Sequence, residues 1–90
     1  GVIALTKCIA RELAPRIRVN CIVPGWIETE EVTRRYRLDD AATLQQVVST
    51  IPMRRLGTSR DLFAAADFLI NHSEYITGQN ILVNGGYTML

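Results

Sequence analysis

Several kinds of chemistry are thinly supplied in this 90-residue chain. It holds two cysteines and one histidine. Cys8 and Cys21 do not form a C-x-x-C pair, so a disulfide or redox pair is not expected. No Cys/His cluster surrounds His72, which argues against zinc. His72 follows Asn71 at a helix end and reads as a surface histidine rather than a catalytic base. Ten basic side chains face nine acidic ones, for a net charge of +1. That balance excludes a large electrostatic partner such as bulk nucleic acid. No apolar run approaches the roughly 20 residues that cross a bilayer. Lys7 interrupts the apolar start and no small-residue cleavage site follows, so a signal peptide is not expected. Repeats and low-complexity segments are lacking too. An initiating Met is absent, which reads as truncation or processing. What remains is a chain 48% hydrophobic, a globular composition. The two cysteines read as buried, reduced thiols of a cytoplasmic protein.

The stretch from Arg18 to Thr29 organises the rest. Val19, Ile22 and Val23 suit a strand buried on both faces, starting near Arg16. Pro24 has no N–H and cannot continue a central ladder. Gly25 permits a sharp turn and a close approach. The strand therefore ends in a loop at its carboxyl edge, where open α/β sheets bind ligands. On residues alone, Pro24-Gly25 reads first as an ordinary strand-end turn, because Pro-Gly is a common loop marker.

Upstream, Val2, Leu5, Ile9 and Leu13 recur at helical spacing, with Ala4 and Cys8 as a second, small-residue line. Pro15 closes that helix. Two apolar faces call for two neighbours: the sheet, and a second helix or a partner subunit. A helix followed by a buried strand is half of a βαβ unit, and the preceding strand is missing. Such a pair leaves its parallel ladder unsatisfied, so the segment reads as incomplete. Downstream, Glu28, Glu30 and Glu31 precede Arg34, Arg35 and Arg37, as a short helix and its dipole prefer. This mixture reads as a solvated face, with a phosphate or acyl-carrier contact as the alternative, and it makes no metal site. Asp39-Asp40 can start another helix. Thr58 reads as an N-cap with Asp61 three residues later as its capping-box partner. That helix runs to about Ile70, with Leu62, Ala65, Ala66 and Leu69 on one face and Phe63 and Phe68 broadening it. Asn80 to Val83 reads as a strand and Asn84-Gly85-Gly86 as a turn. An apolar tail runs from Tyr87 to Leu90.

Three ordered motifs carry a family resemblance. They are Val19-Asn20 with Pro24-Gly25, Ile27 and Thr29; Arg55-Leu56-Gly57 with Asp61; and Thr77-Gly78-Gln79 leading to Val83-Asn84-Gly85-Gly86. Together they cover nearly the whole chain, which resembles the C-terminal third of the short-chain dehydrogenase/reductase family, near its 3-oxoacyl-carrier-protein reductases. The resemblance implies an α/β fold: the C-terminal part of a doubly wound Rossmann-type parallel sheet, ordered helix, strand, helical lid, helix, strand. Residues 1–90 would be one segment of a single domain, with 30–50 as a substrate lid. It implies an oxidoreductase using NAD or NADP, hydride transfer with a small carbonyl or secondary alcohol, and a homo-oligomer, dimer or tetramer. It assigns cofactor contact to Pro24, Gly25, Ile27 and Thr29, the Ile27 backbone meeting the nicotinamide carboxamide. It assigns dimer contacts to the first and last long helices, and a structural anchor to Arg55. The family's Gly-rich loop and catalytic Ser are lacking here, and no Tyr is followed by Lys at the fourth position. No residue of the chain is therefore named as the catalytic acid or base, and inactivity of these residues alone is expected. The alternative is a non-catalytic oligomerisation or interaction fragment.

Overall fold

The computed structural model describes residues 1–89, so the last residue of the expected tail, Leu90, lies outside the described residues. The chain runs through α1 (Val2–Leu13), β1 (Cys21–Pro24), α2 (Glu30–Tyr36), α3 (Ala41–Ser49), α4 (Ser59–Asn71) and β2 (Asn80–Val83). β1 and β2 pair in parallel, Cys21 opposite Asn80 and Pro24 opposite Val83. Parallel neighbours need a long crossover, and the three helices α2 to α4 supply it. α4 packs on both strands and α1 on β1.

β1 begins later than its β-forming residues suggest. Arg16 and Ile17 still donate their N–H groups to the carbonyl of Leu13. Val19 donates its N–H to Thr77 Oγ1 at 3.0 Å, and its carbonyl accepts from Gly78 N–H at 2.7 Å. Asn20 Nδ2 donates to the Ile76 carbonyl, and Asn20 Oδ1 accepts from Gln79 N–H, both at 3.0 Å. Those residues are thus committed to the turn before β2, not to a ladder. At the other end Pro24 is included in the strand. Cys21 and Gly25 donate to β2 carbonyl positions at Gln79 and Val83. Backbone groups alternate sides along a parallel strand, so the nitrogen of Pro24 faces away from β2 and no bond is lost.

Each crossover helix starts on a side-chain cap. Thr29 Oγ1 accepts from Val32 N–H, and Asp40 Oδ2 from Thr43 N–H and its hydroxyl. Both halves of the Thr58–Asp61 capping box form: Asp61 N–H to Thr58 Oγ1 at 3.3 Å and Thr58 N–H to Asp61 Oδ2 at 2.8 Å. Arg55 grips the same carboxylate with both guanidinium nitrogens, at 2.9 and 3.3 Å. At the far end of α4, where the last turn has no basic residue, Arg18 donates to the Leu69 carbonyl at 2.7 Å.

The Arg55 hydrogen bonds, then the Thr58 N–H, hold the Asp61 carboxyl well below its ordinary value of 3.8. A depressed folded pKa contributes stability above the unfolded value and loses it as pH falls towards the folded one. Urea midpoints should therefore show wild type ahead of Asp61→Asn at pH 7, with the gap closing below about pH 4. A gap independent of pH between 3 and 7 would show that the charge on Asp61 does not matter.

The core is small. Ala10, Ile27, Leu38, Ile51 and Leu69 are the buried hydrophobic side chains. The radius of gyration is 15.5 Å, against about 12 Å for a compact domain of this length. Helical periodicity located apolar stripes but not their neighbours. On α1 the buried residues are Thr6 and Ala10, whereas Val2 and Leu5 of the apolar stripe are exposed. Thr6 satisfies its hydroxyl on the Val2 carbonyl. Cys8 is exposed and Cys21 half-buried, so the expectation of two buried thiols is not met; Cys8 lies off the Thr6–Ala10 line that α1 buries. On α4, Leu69 is buried, but Phe63 and Phe68 point outwards rather than widening the buried face.

Candidate functional site

A site builds up at the carboxyl edge of β1. Pro24 is exposed at the strand end. Gly25 turns there, and its backbone lies outside the left-handed region, so it is glycine for reasons of space. A Cβ on Gly25 would lie 2.4 Å from Asn84 Cβ and 2.9 Å from Asn84 Cα. The close approach read from the sequence is therefore made by the end of β2 itself.

Trp26 and Glu28 then bracket Gly57 in a short parallel bridge. Gly57 N–H donates to the Trp26 carbonyl at 2.8 Å, and Glu28 N–H donates to the Gly57 carbonyl at 2.7 Å. The alternation of a parallel strand turns the N–H and C=O of the intervening Ile27 the other way. Among the described residues, neither group has a hydrogen-bond partner. One donor and one acceptor side by side match the two ends of a primary carboxamide. The Ile27 side chain is anchored inwards, 9% exposed. Gly57 makes room for it, since a Cβ there would lie 2.7 Å from Ile27 Cδ1.

Thr29 stands apart from the other three. Its hydroxyl oxygen is engaged as the cap of α2, at 3.1 Å from Val32 N. The O–H hydrogen of an N-cap threonine remains free to donate. Pro24, Gly25 and Ile27 thus share one edge, and Thr29 follows at the helix start.

A cavity of about 400 Å³ opens beside this edge. Trp26, Ile27, Val32, Tyr36, Asn84 and Tyr87 are among its walls. Trp26 and Tyr36 meet edge to face, with ring centroids 4.9 Å apart and planes at 77°. Tyr36, Asn84 and Gly57 were not singled out individually as site residues from the sequence. The Val32–Tyr36 spacing of four was the available signal for one inward face on α2. A second hollow, of about 360 Å³, lies past Gly57 and holds Arg55 and Asp61, which are spent on each other.

Known proteins resemble this chain along nearly its whole length. A family model described as enoyl-(acyl carrier protein) reductase matches residues 1–88. The 3-oxoacyl-(acyl-carrier-protein) reductase of Vibrio harveyi is 44% identical over 93 residues, covering 100% of this chain and 36% of its own length. A short-chain dehydrogenase/reductase from Brucella melitensis superposes with a TM-score of 0.85 at 34% identity, covering 98% of this chain and 35% of that one. A structure of a putative 2-deoxy-D-gluconate 3-dehydrogenase from Agrobacterium tumefaciens, with bound NADP, gives 0.84 at 42% identity, covering 97% and 35%. The chain spans about a third of the length of the curated relatives it matches.

Proposed function

The chain belongs to the short-chain dehydrogenase/reductase family, and on that premise we propose that it forms the nicotinamide side of an NAD(P)-dependent oxidoreductase. The observation that carries the reading is Ile27, whose backbone N–H and C=O are unpartnered at a strand's carboxyl edge. These two groups would hold the carboxamide, Pro24 and Gly25 would border the ring, and the Thr29 hydroxyl would donate to the cofactor. The bound nicotinamide supplies or accepts the hydride, with a carbonyl or secondary alcohol as the other reactant. This chain's part is to bind and orient. The proton donor would come from residues outside these 90. Residues 30–50, carrying α2 and α3, would act as the substrate lid. Either NAD or NADP fits, because the contact described here meets only the part the two share.

The single tryptophan, Trp26, adjoins the site and reports on it. Titrating the chain with NADH or NADPH should quench Trp26 emission saturably. A cofactor analogue with an acetyl group in place of the carboxamide cannot donate to the Ile27 carbonyl. It should bind roughly tenfold more weakly, the worth of one such hydrogen bond. Equal affinity for both would remove Ile27 from the site.

A second reading, a non-catalytic oligomerisation fragment, is favoured by one observation. Phe63 and Ile70 on α4 are each 69% exposed, a surface suited to a second copy. The same titration separates the two, since that fragment would bind no cofactor yet still self-associate.

A further inference from the structure

We propose that the cavity between Trp26 and Tyr36 takes the uncharged, apolar body of the substrate, an aryl or alkyl group borne by the ketone or alcohol, and that Tyr36 sets this preference. The proposal rests on the oxidoreductase reading and deepens it. The cavity shares Gly25 and Ile27 with the proposed nicotinamide contact, so whatever fills it lies beside the reacting carbon. At about 400 Å³ it falls within the range of about 300–1,000 Å³ typical of small-molecule sites.

The chemistry of its walls excludes a charged group. Among the described residues, no ionisable side chain other than two tyrosines lines it. Its amide is already spent: Asn84 Nδ2 donates to Thr88 O at 3.1 Å and to Thr88 Oγ1 at 3.0 Å, while Asn84 Oδ1 accepts from Gly86 N–H. The arginines of α2 and of its C-cap are not among the cavity walls. Arg34, Arg35 and Arg37 are exposed, and Arg35 lies 3.9 Å from Glu31 on its own helix. The stripe that α2 turns to the cavity is Val32 and Tyr36, one turn apart. The edge-to-face pair of Trp26 and Tyr36 instead offers aromatic surface that accepts a ring or an alkyl chain.

Two measurements on the full polypeptide test this. The first needs no turnover. Benzyl alcohol should shift the indole N–H resonance of Trp26 saturably, lactate should not, and Tyr36→Ala should weaken the benzyl alcohol response at least about fivefold while Tyr36→Phe retains it. The second is kinetic. Reduction of acetophenone should exceed that of pyruvate by at least about tenfold in kcat/KM, and Tyr36→Ala should cut the acetophenone-to-acetone ratio by about tenfold, mainly through KM, as apolar pockets discriminate. If benzyl alcohol shifts the indole but no ketone is reduced with either cofactor, the oxidoreductase reading fails and the cavity assignment stands. If pyruvate is preferred, or benzyl alcohol leaves the indole unmoved, the cavity assignment is overturned whatever the turnover.

Discussion

Gly25→Ala should lower the stability of the chain by about 3 kcal/mol and weaken nicotinamide cofactor binding at least about tenfold. The first figure is the upper end of overpacking costs, because the obstacle includes backbone. An added methyl would meet Asn84 Cβ at 2.4 Å and Asn84 Cα at 2.9 Å. A flexible side chain could swing away, but these atoms are fixed at the end of β2, directly after Val83. Relief must come by moving the 25–29 loop, and Ile27 moves with it. Displacing the proposed binding group by about an ångström is costly because donor and acceptor must both stay aligned. Urea titration and Trp26 quenching read the two effects. A second substitution locates the cause: Asn84→Gly removes the nearer atom, so the double variant should recover part of the lost stability, with a coupling of at least about 1 kcal/mol. A Gly25→Ala protein within about 0.5 kcal/mol of wild type would contradict this account of Gly25.

What could be read from residues, and what could not, divides along locality. The Thr58–Asp61 capping box is a three-residue signal, and the structure forms both halves of it. The strand Asn80–Val83 and the turn after it likewise follow from neighbouring residues. The start of β1 does not, since Val19 and Asn20 are held by Ile76, Thr77, Gly78 and Gln79, far along the chain. Thr29 shows a different limit. The resemblance gives it a ligand contact, and the same residue also precedes Glu30 and Glu31 and caps the helix they open, a second role the sequence reading did not name. Spacing gives a helix its stripes but says nothing about what covers them, hence the misplacement of Cys8, Phe63 and Phe68. The bridge at Gly57, which turns the Ile27 amide outwards, joins residues thirty apart and left no local mark.

Ile51→Ala should cost about 3 kcal/mol, within the range for isoleucine or leucine truncated in a packed core. Ile51 is the most buried large side chain, at 1% exposure. It follows α3 and touches the turn after β2, where a Cβ on Gly85 would lie 3.0 Å from Ile51 Cγ2. Met53 N–H then donates to the Gly85 carbonyl, so one side chain and one hydrogen bond return the crossover to the sheet. With so few buried hydrophobics, that loss is a large share of a total of roughly 0.1 kcal/mol per residue. The informative partner is Phe63→Ala. At 69% exposure, truncation should change stability by no more than about 0.5 kcal/mol if the face stays wet. If a second copy covers α4, the same change should approach the roughly 3–5 kcal/mol of a core phenylalanine, and it should grow with protein concentration. Measuring both variants at two concentrations therefore separates what this chain holds together alone from what its exposed helix face holds together with another.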